Sequence, residues 1–310
     1  MPSRHLLDPD LAMLTEWGAD VDFMALREMM PPPEPPPPSQ TVDWREVRLP
    51  GPPGAPEVRA LLYTPKGRAE QRPAVLHIHG GGYVLGSPDM GAVGHIALAE
   101  AFGAVVLSVD YRLAPETRFP GAVEDCYAAL RWLHEEADAL GIDRSRIIVS
   151  GESAGGGLAA GLALLARDRG EYPLAFQHLV FPMIDDRTVT RGHPSPFIGQ
   201  YVWTRPHNAF GWAALLGCEP GSEGVSCYAA AARAEDLAGL PPTFIVCGAL
   251  DLFVEENIDY AKRLILAGVP TELHIFPGAP HGYPMSPEAF ATQATTQASM
   301  TAIGRALARG

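Results

Sequence analysis

Six short apolar runs recur along this chain with room for a helix between most of them, at residues 74–78, 104–109, 146–150, 177–181, 243–246 and 272–276. Runs this brief and rich in β-branched residues predict buried strands rather than core helices. The intervening stretches 90–102, 122–140, 154–167 and 256–267, with a final one at 287–308, predict helices. Two earlier strands, 41–49 and 58–63, flank a turn-rich stretch at 50–56 and form an expected antiparallel pair. Eight strands alternating with helices predict an α/β chain whose mostly parallel sheet is covered on both faces through right-handed crossovers.

Two regions break the alternation. Residues 10–30 predict an amphipathic helix with Leu11, Leu14, Trp17, Val21, Met24 and Leu26 among its apolar positions. The proline run at 31–38 lacks amide donors for helix or sheet and predicts a stiff, extended spacer. The stretch 185–240, aromatic-rich at 197–212, is too long for a plain connection and predicts a segment covering a cleft. The expected organisation is therefore an N-terminal cap and linker at 1–40, an α/β domain at 41–185 and 236–310, and an inserted cap segment at 186–235.

The composition adds limits. With 36 acidic against 23 basic residues, the formal net charge of -13 argues against nucleic acid or an anionic membrane surface as partner. No apolar run reaches the roughly 18 residues of a membrane span, and the start of the chain lacks a basic region feeding an apolar stretch, so a cytoplasmic protein is expected. Cys126 and Cys247 fit core positions; Cys218 and Cys227 could pair across a loop. His77 and His79 share one strand face, but no cysteine or acid at diagnostic spacing completes a metal site. No metal and no cofactor are expected.

The chemistry begins at Gly151-Glu152-Ser153-Ala154-Gly155, between a predicted strand and a predicted helix. A serine hydroxyl needs exposure at a sharp turn and a base beside it, and glycines two positions either side leave room for such a turn. The Ala154 amide at the helix start can meet negative charge. His79-Gly80-Gly81-Gly82 follows another strand and can present bare amides to an oxyanion; it lacks the lysine and glycine spacing of a phosphate loop. Asp251 and His281 each follow a predicted strand, and an aspartate on the imidazole N–H would orient the ring to take the serine proton. Glu255 is the alternative acid, and Asp185-Asp186-Arg187 an alternative charged cluster suited to salt bridges.

These residues, with Asp110-Tyr111-Arg112-Leu113-Ala114-Pro115-Glu116 and Phe119-Pro120, resemble the bacterial hormone-sensitive-lipase-like family of α/β-hydrolase carboxylesterases from Val42 onward. The resemblance implies the α/β-hydrolase fold, a central eight-stranded mostly parallel sheet with a helical cap. It implies Ser153 as nucleophile, Asp251 as acid, His281 as base, and the Gly81, Gly82 and Ala154 amides as oxyanion donors. His79, Glu152, Asp110, Arg112 and Glu116 would support them, with a buried Arg112 and acidic partners bracing the oxyanion loop. Glu152 stands where many relatives have Asp and is expected to meet the loop near His281 differently; Leu252-Phe253 replaces a Pro-Leu pair, so a looser acid loop is expected. The expected function is hydrolysis of small, short-acyl esters through an acyl-enzyme. An amidase or deacetylase would use the same apparatus, and a non-catalytic small-molecule receptor is the reading of another class. The resemblance also allows a homodimer.

Overall fold

The computed structural model describes residues 1–16, 21–31, 33–67, 70–192 and 195–308. Eight strands, β1 (Val42–Leu49), β2 (Val58–Pro65), β3 (Arg72–Ile78), β4 (Val105–Asp110), β5 (Ile142–Glu152), β6 (Phe176–Val180), β7 (Thr243–Gly248) and β8 (Thr271–Phe276), form one sheet in the order β1-β2-β4-β3-β5-β6-β7-β8. β1 pairs antiparallel with β2 and β2 with β4, and every later pair is parallel. β3 is buried at every residue, as a strand covered on both faces must be.

The helices are α1 (Phe23–Met29), α2 (Ala92–Phe102), α3 (Gly121–Glu135), α4 (Ala137–Leu140), α5 (Ala154–Arg169), α6 (Arg205–Leu216), α7 (Val254–Leu266) and α8 (Phe290–Leu307). One large apolar cluster lies on the face bearing α3, α5 and α7, and a second, with Val75, Val106, Phe244 and Ile303, lies on the other. α5 is buried from Ala154 through Ala166 because its small residues let it press against the sheet. A Cβ added at Gly155 would lie 2.0 Å from the carbonyl oxygen of Ile78, so that position admits no side chain.

The expected elements differ in three places. Residues 10–30 do not form one helix: Pro9–Glu16 is a 3₁₀ turn and α1 begins only after Asp22, whose carboxylate caps Met24 and Ala25 at 3.0 Å each. Leu11 and Leu14, three apart, share a face of a threefold helix and are both fully buried; Trp17 lies outside the described residues. The predicted helix 122–140 divides at Glu136 into α3 and α4. β5 starts earlier than expected because Asp143, Arg144 and Ser145 are too polar to read as strand.

The described part of the proline run carries no helix or strand, and Pro32 lies outside it. Each of the four cysteines is a free thiol, so Cys218 and Cys227 do not pair. Among the described residues no helix is long and apolar enough to cross a membrane.

Candidate active site

Ser153 occupies the turn between β5 and α5 with φ 55° and ψ -120°, a positive-φ conformation that non-glycine residues adopt only under local constraint. The turn is held by its own backbone. Ser153 donates to the Val180 carbonyl at 2.9 Å and its carbonyl accepts from Met183 at 2.9 Å and Gly157 at 3.0 Å.

Two further loops meet this serine. His281, after β8, places Nε2 3.0 Å from Ser153 Oγ. Asp251, after β7, places Oδ2 2.7 Å from His281 Nδ1. The carboxylate is fully buried, and its second oxygen accepts the Phe253 amide at 2.9 Å. The acid loop is thus not slack: Leu252 and Phe253 are buried, and the Phe253 ring packs edge-on to the imidazole at 5.1 Å. Phe181 packs on the same imidazole at 4.8 Å. Cys247 is buried beside Asp251, and burial first and that carboxylate second push its thiol well above the ordinary range, keeping it protonated. Glu255, the alternative acid, is exposed and pairs with Arg191 at 3.4 Å. Asp185 and Asp186 are likewise engaged, by Arg187 and Arg191 and by Arg233.

The glycine loop lies directly against the serine: a Cβ at Gly80 would be 3.4 Å from Ser153 Cβ. Gly81 and Gly82 carry φ of 118° and 61°. The N–H groups of Gly81, Gly82 and Ala154 are not spent on turn or loop hydrogen bonds within the described residues. Gly81 and Gly82 border the cavity with Ser153, while Ala154 is buried as the first residue of α5.

The supporting residues sit differently from expectation. His79 borders the cavity, with its Nδ1 2.8 Å from the Gly80 carbonyl and its ring stacked 4.3 Å from Tyr111. Burial lowers its pKa to about 4, so it is neutral. Among the described residues Glu152 makes no hydrogen bond to the His281 loop. Its carboxylate accepts from the Gly80 amide at 3.1 Å and lies 3.0 Å from His77 Nε2. Burial acts to raise its pKa, but His77 and the Gly80 amide outweigh that and hold it below the usual carboxylate range.

Arg112 is not buried, with 31% of its side chain exposed, and it grips Asp125 at 2.7 Å rather than Asp110 or Glu116. Asp110 instead binds Arg59 at 3.1 Å, and Glu116 is exposed and binds Arg27 of α1 at 2.9 Å. The sequence reading missed His77, Asp125 and Arg59 because each acts across neighbouring strands or helices, where local spacing carries no signal. The position of Asp125 on the inner face of a predicted helix was the one available hint.

Above the serine is a cavity of about 470 Å³ with mostly apolar walls, including Phe23, Leu26, Phe181, Val202, Trp203 and Met285. Its roof comes from both irregular regions: Phe23 of α1 packs 5.4 Å from Trp203 and stacks 5.8 Å from Phe210 of α6. Val202 has φ 58°, unusual for a β-branched residue, in a tight turn closed by the Trp203 amide on the Tyr201 carbonyl at 2.6 Å.

A serine, an imidazole and a buried carboxylate in line over the carboxyl ends of such a sheet define an α/β hydrolase. A family model described as alpha/beta hydrolase fold matches residues 75–285. The carboxylesterase NlhH of Mycobacterium tuberculosis is 38% identical over 244 residues, covering 77% of this chain and 75% of its own. The ethyl acetate hydrolase of Pseudomonas putida is 32% identical over 211 residues, covering 68% of this chain and 65% of its own. Among solved structures, a bacterial heroin esterase superposes with a TM-score of 0.88 at 41% identity over 98% of both chains. This chain belongs to the hormone-sensitive-lipase-like family of α/β-hydrolase carboxylesterases.

Proposed function

We propose that this carboxylic ester hydrolase cleaves small, short-acyl esters by way of an acyl-enzyme on Ser153. The observation that carries the reading is the unbroken line from Ser153 Oγ through His281 to Asp251, at 3.0 and 2.7 Å, opening into an apolar cavity. With Asp251 accepting the hydrogen bond from Nδ1–H, His281 Nε2 presents its lone pair to the serine hydroxyl.

As Oγ attacks the ester carbon, His281 Nε2 takes the serine proton and the carbonyl electron pair moves onto oxygen. The amides of Gly81, Gly82 and Ala154 supply donors for that oxyanion. Collapse breaks the bond to the alkoxide, which leaves with the proton from Nε2. Water then attacks the acyl-enzyme, gives a proton to the same nitrogen, and releases the carboxylic acid as Ser153 Oγ regains its proton. Short chains are favoured because the rings of Phe23, Phe181 and Trp203 narrow a cavity of about 470 Å³. The relative named ethyl acetate hydrolase supports the same preference.

Ser153→Ala should lower kcat by roughly 10⁴-fold or more in a folded protein. Wild-type turnover by that variant would overturn the assignment of Ser153 as nucleophile, whereas absence of turnover in the unmodified protein would favour a receptor. A panel of aryl acetates, amides and esters from acetate to dodecanoate tests the substrate class: preference for the longest chains would sink the short-acyl reading, and preference for amides the ester one.

A further inference from the structure

His77 makes a contact that the acyl-transfer steps do not themselves use. Its Nε2 lies 3.0 Å from Glu152 Oε2, and the other oxygen of that carboxylate accepts the Gly80 amide at 3.1 Å. Glu152 is the residue before Ser153, and Gly80 is the residue before Gly81 and Gly82. A single carboxylate therefore ties the glycine loop to the nucleophile turn, and the imidazole holds that carboxylate from behind. A carboxylate only accepts, so Nε2 is the donor in either protonation state of the ring.

The imidazole is itself fixed. Its Nδ1 lies 3.1 Å from Ser108 Oγ on β4, and that hydroxyl lies 3.3 Å from the Pro88 carbonyl beyond the glycine loop. The His95 ring of α2 packs against it at 4.2 Å. His77 is buried, at 7% exposure, whereas the Glu152 side chain is 38% exposed and borders the cavity. Unheld, a half-exposed glutamate would swing among its rotamers and leave the Gly80 amide to water.

We propose that His77 is a positioning residue: it fixes Glu152 against the Gly80 amide and so sets where the Gly81 and Gly82 amides point. This rests on the reading that those amides serve an ester oxyanion. Donors aimed at a developing oxyanion lower the barrier more than they bind substrate, so their misplacement shows in kcat.

The test compares His77→Leu, His77→Gln, Glu152→Ala and the His77→Leu/Glu152→Ala double variant on an aryl acetate. In His77→Leu, kcat should fall about tenfold with KM within about twofold. His77→Gln, whose carboxamide N–H can still reach Glu152, should recover to within about threefold of wild type. The double variant should fall no further than Glu152→Ala alone, since both act through one tie. Unchanged kcat in His77→Leu, failure of the glutamine to restore it, or additive losses would each overturn the proposal. Should His77→Leu not fold, Glu152→Ala takes its place, and unchanged kcat there overturns it equally. Ser153→Ala run alongside separates the two readings: its inactivity with an unaffected His77→Leu removes only this inference.

Discussion

The indole of Trp203 lies against the bare α-carbon of Gly82, so closely that an added Cβ there would sit 2.1 Å from the ring. The roof of the cavity and the loop that offers the oxyanion amides are thus one packed contact. Gly82→Ala should cut kcat by about 100-fold or more, the scale of losing an oxyanion donor. Adding Trp203→Ala should recover part of the loss by clearing the collision. Recovery stays incomplete because φ of 61° still costs an alanine about 1–2 kcal/mol. Single and double variants assayed on one aryl acetate check this, and full recovery would show that sterics alone set the loop.

Asp251→Asn keeps the shape of the buried acid but lets the imidazole adopt the wrong tautomer. The expected loss in kcat is about 10⁴-fold, with the fold intact by circular dichroism. A loss below about tenfold would point to another acid, and the exposed Glu255 would then merit the same substitution.

Phe23→Ala opens the roof from the side of α1, since this ring packs on Trp203 and Phe210. The ratio of kcat/KM for octanoate over acetate should rise by about fivefold or more, on the scale of one to two kcal/mol for a buried methylene or two. An unchanged ratio across the chain-length series would mean that Phe23 does not bound the acyl site.

His178, which takes no part in the acyl-transfer steps, supplies a pH dependence of stability. Burial on β6 lowers its pKa to about 4, and it bonds Ser150 Oγ at 2.9 Å while stacking on Phe244. The unfolded chain takes up this proton near pH 6.5 and the folded one only near pH 4, so stability falls as pH drops between those values and levels off below them. Between pH 7 and 4.5 this group should remove about 2–3 kcal/mol. His178→Gln should flatten that part of the curve in chemical denaturation, and an identical slope in both proteins would refute the attribution.

Much of this architecture was legible before any coordinates. Strands such as Arg72–Ile78 are buried on both faces and so carry a mainly apolar stretch, Ala74-Val75-Leu76, and the nucleophile, acid and base each stand at a strand end. What stayed hidden depends on partners far along the chain. Arg112 meets Asp125 from a helix instead of its acidic neighbours in the motif, and Glu152 meets His77 across the sheet. The opening segment reads as one α-helix because Leu11 and Leu14 fit both a 3₁₀ turn and an α-helix. The acid loop lacks the proline that would signal rigidity in the sequence, and burial of Phe253 supplies the restraint instead.

The close approach of Gly155 to the Ile78 carbonyl divides the protein into parts with different evolutionary freedom. Backbone set on backbone leaves no side chain to exchange, so the floor of the site is closed to gradual alteration. The ceiling is built of side chains such as Val202 and Met285, which can be traded one at a time. Descendants of this sequence would inherit the chemistry unchanged and diversify in what they admit, and a mutational library aimed at new substrates belongs overhead.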